Sequence, residues 1–212
     1  MSTLSELRAE YTQSELTKAT VDPDPLRQFE RWLNQAMAAQ LPEPNAMTLA
    51  TVTAGGSPAA RVVLLKDIDD GFVFFTNYTS DKGQQLAENP CAALVFLWLA
   101  LERQVRVEGV VDKIAIADSQ AYFRTRPRGS RLGAMASHQS RVVENRQVLE
   151  ERFEKLERRF PGDDIPMPGQ WGGYRLDPVM LEFWQGRRSR LHDRLRYRRQ
   201  TDGDWLIERL EP

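Results

Sequence analysis

The chain has 212 residues, of which 41% are hydrophobic and 28% charged, and its formal net charge is -1. This composition is ordinary for a globular protein, and the near-zero charge argues against a surface built for nucleic acid or anionic membrane. No apolar run reaches the roughly 18 residues of a membrane span, and the first residues lack the layout of a signal peptide. We therefore expect a cytoplasmic protein without nucleic-acid or membrane partners, in which local clusters of Arg and Lys hold any anion.

The N-terminal part divides into an arm and a helix. Residues 1–22 are polar and lack a clear period, so we expect a mobile arm ahead of a single domain over residues 23–212. Asp24-Pro25 is typical of a helix start, with Asp as the N-cap and Pro at the first helical position. Apolar residues then recur at helical spacing from Leu26 to Met37, and two prolines soon afterwards end this helix.

From residue 46 onward, short alternating and β-branched runs are joined by tight turns. Few helices separate these runs, which favours a mainly β (α+β) fold: an antiparallel sheet closing into a barrel with peripheral helices. The single cysteine, Cys91, opens one apolar run and is interpreted as a small buried residue. Strands are predicted over 46–53, 60–66, 72–76, 92–99, 104–111, 179–184, 191–198 and 205–210, helices over 82–88, 117–124 and 149–160, and a loop over 126–130.

The densest charge cluster runs from Arg187 to Arg199. Read as a strand with a two-residue period, it places Arg190, His192 and Arg194 on one face. Guanidinium groups around an imidazole suit an anion, because Arg offers forked donors that fit phosphate. A solvated basic face is the plainer alternative. A nucleic-acid strip is another, which the near-neutral total charge weakens.

Two further clusters lie in the first half of the chain. Arg61 and Lys66 bracket an apolar strand, and a regular strand would place them on opposite faces. Either a bulge intervenes or they serve different ligands on the two sides of a dimer interface, unless both are only strand ends reaching water. The segment Ser80-Asp81-Lys82-Gly83 offers helix N–H groups and a Lys to a phosphate, although a plain helix cap explains Ser80 and Asp81 equally well.

Three weaker spots complete the set, and each also has a plain explanation as polar surface, a helix end or an ordinary loop. They are Gln104 with Arg106 on one strand face, Tyr122, Arg126 and Ser130 at a spacing of four, and Gln139-Ser140 in a loop. With two histidines and one cysteine, the chain is not expected to hold a metal in a site of the usual His/Cys kind.

Seven motifs occur in order from the arm to the C-terminus. They are Leu7–Tyr11, Phe29–Leu33, Arg61–Lys66, Leu101–Arg106, Trp171–Tyr174, Glu182–Gly186 and Arg190–Arg194. In this order they resemble the pyridoxine/pyridoxamine 5′-phosphate oxidases over nearly the whole chain. The last two motifs, at this distance from each other, are the most specific.

The resemblance implies an FMN-binding split β-barrel that works as a homodimer with FMN at the subunit interface. It implies oxidation of pyridoxamine or pyridoxine 5′-phosphate to pyridoxal 5′-phosphate, with O₂ reduced to hydrogen peroxide. The cofactor would supply the redox step, so the protein need only position the substrate and shape the electrostatics. The lack of a nucleophile or metal motif agrees with this division.

The resemblance also assigns roles by position. FMN contacts fall on Arg61, Val62, Val63, Leu64, Leu65, Lys66, Phe75, Thr76, Lys82, Gln104, Gln139, Ser140, Trp184 and Arg194. The substrate phosphate meets Lys66, Tyr122, Arg126 and Ser130. Arg190, Leu191 and His192 face the substrate ring, with Arg190 and His192 as the catalytic residues, and Arg8 and Tyr11 belong to an arm that closes over it.

One departure from the family's pattern is Asp81, at a position where the family commonly has Arg. A carboxylate beside the FMN phosphate would repel it, so we expect Asp81 to turn outward and Lys82 and Arg61 to carry the charge. Two rival hypotheses remain open: another split-barrel flavoprotein with a different substrate, and a nucleic-acid-binding barrel that uses the basic strand. The Tyr122, Arg126 and Ser130 set argues against the first, because a generic flavin barrel needs no second phosphate site.

Overall fold

The computed structural model describes residues 10–212, in which five helices surround one sheet of nine strands. The prediction of a mainly β fold with peripheral helices is confirmed. No helix in this part of the chain is long and apolar enough to cross a membrane. The helices are α1 (Pro25–Ala38), α2 (Asp81–Glu88), α3 (Ile116–Thr125), α4 (Arg128–Ala136) and α5 (Arg146–Arg159), and the strands are β1 (Ala46–Val52), β2 (Pro58–Leu64), β3 (Asp67–Ile68), β4 (Phe72–Asn77), β5 (Cys91–Trp98), β6 (Arg103–Lys113), β7 (Trp171–Gln185), β8 (Asp193–Arg199) and β9 (Trp205–Leu210).

The strands are antiparallel and follow the order β2-β1-β5-β6-β7-β4-β3. Strand β7 is long enough to pair with β4 along its first half and with β8 along its second half, and β8 pairs with β9. The sheet curls until its ends meet, since the Lys66 N–H just beyond β2 donates to the Val73 carbonyl of β4 at 2.8 Å. The result is a half-barrel whose opening lies beside β2 and β4.

Helix α1 packs over the core of the half-barrel. The Asp24 carboxylate accepts the Leu26 N–H at 2.8 Å, which confirms the predicted N-cap. Phe29 is fully buried and meets the rings of Phe72 and Phe96 edge-on, at 4.9 and 4.6 Å between centroids. Burying each such side chain stabilises the fold by about 1.5–3 kcal/mol.

A glycine and a proline, residue types that usually weaken strands, lie inside β7, and the surrounding packing explains each of them. A Cβ at Gly172 would lie 2.0 Å from the Tyr78 hydroxyl, so the close approach of Tyr78 requires glycine there. Pro178 lies inside β7 opposite Gly109, where the register between β6 and β7 shifts. This irregularity accommodates a residue that has no N–H to donate. Because pairing continues on both sides of Pro178, β7 is much longer than the predicted strand over 179–184.

Two sequence predictions were wrong. The expected loop over 126–130 contains the start of α4, because Leu132 and Ala136 lie four residues apart and are buried at helical spacing, which outweighs the glycine at 129. Cys91 is exposed rather than buried. Burial in β5 falls on Leu94, Phe96 and Trp98, so the two-residue period turns Cys91 outward at the strand's first position.

Residues 10–24 form no helix or strand, but they lie against the C-terminal strands. Leu16 is buried in the main core, and its N–H donates to the Asp193 carboxylate at 3.1 Å. The N–H groups of Thr12 and Gln13 both donate to the Glu102 carboxylate, at 2.9 and 3.1 Å. These contacts place Tyr11 beside the start of β8.

Candidate functional site

A cavity of about 620 Å³ opens between β2, β4 and helices α2, α3 and α4. We call it the cationic cavity, because Arg61, Lys66, Lys82 and Arg126 line it and no carboxylate does so in the part of the chain that the structure describes. Of the residues predicted from sequence to bind cofactor or substrate, the cavity brings together Arg61, Val62, Val63, Leu64, Lys66, Phe75, Thr76, Lys82, Tyr122, Arg126, Ser130 and Gln139.

Arg61 and Lys66 reach the same cavity, although a regular strand would place them on opposite faces. The reason is that β2 ends at Leu64. The chain then leaves the strand, with the Leu65 N–H donating to Asn45 and the Lys66 N–H to β4. Leu65 itself turns into the main core, where it is 4% exposed, and does not line the cavity.

One end of the cavity lies at the start of α2. The Ser80 hydroxyl accepts the Gly83 N–H at 3.3 Å and so caps the helix. Asp81 is exposed and does not line the cavity, but its charge partly opposes the lowering of the pKa that burial causes at Arg61 and Lys82. Lys82 is buried, and its Nζ donates to the Gln139 side chain at 3.2 Å. Burial, followed by repulsion from Arg61, lowers the pKa of Lys82. An anion at this end would stabilise both cations.

The other end is formed by Arg126, just beyond α3. Its Nη1 is buried without a hydrogen-bond partner among the described residues, and its guanidinium lies over the Trp171 ring at 4.7 Å. Burial lowers the pKa of Arg126. A buried donor left unpaired costs about 1–3 kcal/mol. This end is therefore built for an anion that the protein does not itself supply.

A stack of three aromatic rings, from Phe75, Tyr122 and Trp171, lines the cavity. Phe75 stacks on Tyr122 with centroids 3.9 Å apart and planes at 19°, and on Trp171 at 5.3 Å and 12°. Sequence reasoning placed Trp171 in a family motif but gave it no role. It also missed Ser137, because this residue lines the cavity from the end of α4, a helix the sequence did not predict.

A second group of predicted residues lies elsewhere, at the junction of the arm with β7 and β8. We call Tyr11, Trp184 and His192 the aromatic cluster. Tyr11 meets Trp184 and His192 edge-on, each at 5.7 Å, and Trp184 lies 4.6 Å from His192. A Cβ at Gly186 would lie 2.7 Å from Tyr11, so glycine is needed for this approach.

His192 has a defined hydrogen-bond pattern. Its Nδ1 accepts the Arg187 N–H at 3.1 Å, so the neutral ring carries its proton on Nε2. Partial burial, followed by the neighbouring charge of Arg190, lowers the pKa of His192. The neutral ring, with Nε2 as a donor, is therefore the form favoured near neutral pH.

Three of the predicted flavin residues form a row beside this cluster. Gln104 of β6 stands opposite Trp184 of β7, which stands opposite Arg194 of β8. Residues directly opposite in antiparallel strands share a face. None of the three lines the cationic cavity. Within one chain the predicted site is thus divided in two.

The remaining predicted residues that the structure describes lie outside both the lining of the cationic cavity and the aromatic cluster. Arg190 and Leu191 are exposed, and β8 begins only at Asp193. The expectation that a strand carries Arg190 and His192 on one face is therefore wrong, because Ser189 and Arg190 take positive φ angles of 56° and 61° in a turn. Ser140, at φ 69°, is exposed and lies outside the cavity lining. Arg8 lies outside the described residues.

Two family models match the chain. Residues 33–160 match the one described as pyridoxamine 5′-phosphate oxidase. Residues 171–212 match the one described as the pyridoxine 5′-phosphate oxidase C-terminal dimerisation region. The lining of the cationic cavity falls in the first match except for Trp171, and Trp184, His192 and Arg194 fall in the second.

Two known proteins of the same family match this chain over their full length. The pyridoxine/pyridoxamine 5′-phosphate oxidase of Cupriavidus necator is 59% identical over 213 residues and covers 100% of both chains. That of Trichormus variabilis is 56% identical over 211 residues, or 99% of both chains.

Solved structures share the fold. PhzG from Burkholderia lata, in complex with tetrahydrophenazine-1-carboxylic acid, has a TM-score of 0.88 at 32% identity and covers 93% of this chain and 98% of its own. A pyridoxamine 5′-phosphate oxidase-related, FMN-binding protein of Nostoc punctiforme has a TM-score of 0.74 at 20% identity, with 91% and 100% covered. The fold is thus the split barrel that the sequence predicted. Taken with the family models and the full-length relatives, these likenesses show that the chain belongs to the pyridoxine/pyridoxamine 5′-phosphate oxidase family.

Proposed function

We propose that this protein oxidises pyridoxamine or pyridoxine 5′-phosphate to pyridoxal 5′-phosphate, using FMN and reducing O₂ to hydrogen peroxide. The observation that carries the proposal is Arg126, a half-buried side chain at one end of the cationic cavity, whose Nη1 is buried and has no hydrogen-bond partner among the described residues. Tyr122, Ser130 and Lys66 line the same cavity and offer further donors. Several donors around one point suit the oxygens of a phosphate.

The cationic cavity has room and charge for a second anion, which supports FMN as the cofactor. Lys82 and Arg61 lie near the start of α2, where helix N–H groups favour a phosphate. The stacked rings of Phe75, Tyr122 and Trp171 line the cavity and offer apolar surface to a ring system. When bound, FMN would be the acceptor for the substrate's hydride, and its electrons would then pass to O₂.

The protein's own residues then have to orient the substrate and exclude water. In this proposal Arg126 and Ser130 hold the substrate's phosphate while Arg190 and His192 approach its ring. Positioning of this kind lowers the barrier by removing orientational freedom before the reaction. The neutral His192 ring donates from Nε2, because Nδ1 is already occupied by the Arg187 N–H.

The same proposal needs two copies of the chain. The cavity and the aromatic cluster are separate in one chain, and the cluster lies in the region that matches a dimerisation model. Large apolar side chains are also left exposed, among them Val62 at 68%, Leu97 at 56% and Leu99 at 71%. We propose a homodimer in which the cavity of one chain and the aromatic cluster of its partner flank FMN at the interface.

The compartment we propose is the cytoplasm. Cys91 is a single, exposed and free cysteine, which suits a reducing environment and offers no internal disulfide.

The test is to add pyridoxine 5′-phosphate to the FMN-loaded protein in air. The proposal expects a yellow protein that releases peroxide and a pyridoxal product in equal amounts. A protein that stays colourless with FMN, or a flavoprotein that releases no peroxide with either vitamer, would refute it. Retention of an oligonucleotide by the colourless protein would favour the nucleic-acid-binding alternative instead.

A parallel assay separates this function from that of a flavoprotein with another substrate. The Burkholderia lata protein was solved with a ligand that carries a carboxylate rather than a phosphate. Turnover of tetrahydrophenazine-1-carboxylic acid in preference to the phosphorylated vitamers would contradict the proposal. The several donors around Arg126 favour the vitamers.

A further inference from the structure

Glu182 is a buried carboxylate near the C-terminal end of β7. It opens the motif Glu182–Gly186, but no role has been assigned to it and it does not line the cavity. It is 4% exposed. Its two oxygens receive a fork of hydrogen bonds from Arg194, with Nε to Oε1 at 2.8 Å and Nη2 to Oε2 at 3.1 Å. Arg106 donates to Oε2 as well, at 3.3 Å. Such forked pairs fix the plane and direction of the guanidinium.

The fork lies beside the row of predicted flavin residues. Glu182 precedes Trp184 by two positions on β7 and therefore shares its face, and Arg194 stands opposite Trp184. The remaining Arg194 nitrogen, Nη1, donates to the Glu211 carbonyl at 2.8 Å. All three nitrogens of Arg194 are thus held, while each terminal nitrogen keeps a second N–H for a ligand.

We infer that Glu182 is a positioning residue, which holds Arg194 in the orientation in which it meets the flavin. The inference rests on the proposed function, in which Arg194 contacts FMN. The pair is partly buried, with Glu182 buried and Arg194 half-buried. Such a pair adds little net stability, because desolvation of the carboxylate offsets much of the attraction. The pair instead keeps the long, flexible side chain of Arg194 ordered before FMN binds, and this removes an entropic cost from binding.

The chain contains a matched control on the same strand. Arg196 lies two residues after Arg194 on the same face of β8 and makes a similar pair with Glu208, through Nε at 3.1 Å and Nη2 at 2.8 Å. Neither Arg196 nor Glu208 belongs to the predicted site. Loss of the Glu208 charge therefore measures what any Arg–Glu pair on this sheet contributes.

The experiment is an FMN titration of the apo-protein followed by quenching of flavin fluorescence. Glu182→Gln should raise the Kd for FMN at least tenfold, because the amide opposes one arm of the fork with its NH₂ group. Glu208→Gln should leave the Kd within twofold of the wild type. In an Arg194→Met background, Glu182→Gln should change the Kd less than twofold, because the residue through which it acts is gone.

Each outcome decides the inference. An unchanged Kd in Glu182→Gln, or the same increase in the presence and absence of Arg194, would overturn it. Should Glu182→Gln not fold, as judged by circular dichroism, Glu182→Asp keeps the charge but shortens the side chain, and its Kd is read against the same limits. A wild-type protein that binds no FMN would overturn the proposed function, a result visible before any variant is made.

Discussion

The cationic cavity and the surroundings of the aromatic cluster differ in whether their arginine side chains have carboxylate partners. In the cavity, the Nη1 of the half-buried Arg126 has no hydrogen-bond partner among the described residues, and no lining residue of the described chain supplies a carboxylate. Beside the cluster, Arg194 is bound by Glu182 and Arg187 by Glu15. Unpaired cations leave their charge to a ligand, whereas paired cations give rigid geometry. In the proposed function, the cavity would supply affinity for anions and the cluster would supply orientation.

The largest expected effect is on the cavity. Arg126→Met should raise the KM for pyridoxine 5′-phosphate about 30- to 100-fold, because hydrogen bonds to a charged group contribute about 1.5–3 kcal/mol. The Kd for FMN should stay within twofold. The free energy of unfolding of the apo-protein should change little, because removal of the unpaired Nη1 offsets the loss of the contact with the Trp171 ring. Steady-state kinetics, FMN titration and thermal denaturation measure the three quantities.

Arg124→Met is the matched control for this change, because Arg124 is exposed in the last turn of α3. It should leave KM unchanged. A KM of wild-type size in Arg126→Met would remove the basis for a phosphate site in the cationic cavity.

On the cluster side, Arg190→Ala should lower kcat about tenfold or more while FMN stays bound, because Arg190 orients the ring rather than holding the cofactor. Arg188→Ala, in the same turn and also exposed, should have little effect. Stopped-flow reduction of the bound flavin reads this step directly. Wild-type turnover in Arg190→Ala would refute the role of Arg190, and His192→Asn should likewise impair substrate handling more than flavin binding.

The arm offers a smaller effect. Glu102→Gln weakens the carboxylate that accepts the N–H groups of Thr12 and Gln13 and so holds Tyr11 against the aromatic cluster. We expect KM to rise roughly threefold, because these bonds are exposed and Gln retains one acceptor oxygen. The Kd for FMN should not change. An equal loss of FMN affinity would show that Glu102 supports the barrel rather than the arm.

The smallest effect is on the protonation of His192. The pKa of His192 is lowered by burial and then by Arg190, so Arg190→Ala should raise it toward the ordinary value. The acid limb of the pH–rate profile should then move to higher pH, since protonation at Nδ1 competes with the Arg187 N–H. NMR titration measures this directly, and His138→Asn removes the signal of the only other histidine. A fall in the pKa would contradict the account.

Local chemistry predicted much of the fold. The Asp24 cap, the helix at α2 and the strand alternation follow from short stretches of sequence. Helix α4 did not, because its stability comes from Leu132 packing against a distant part of the chain. The cavity residues were found through motifs, but the separation of the cavity from the aromatic cluster depends on strand order, which residue spacing does not reveal.

The side-chain partners on neighbouring strands could not be predicted from the sequence either. The row of arginines on β8 looked uniform, yet Arg194 is held by a residue of β7 and Arg196 by one of β9. Which arginine serves the site is decided by these partners. The turn at Ser189 and Arg190 was missed for a similar reason, since positive φ at such residues has no reliable sequence signal.

The central claim is that the cationic cavity of one chain and the aromatic cluster of its partner form one site. The most direct test combines two impaired variants, Arg126→Met and the double variant Arg190→Ala/His192→Asn, by co-expression. If the site is shared, half of the dimers are mixed and each has one intact site, so kcat/KM should recover to about a quarter of the wild type. Activity no higher than the average of the two parent variants would show that each chain forms its site alone.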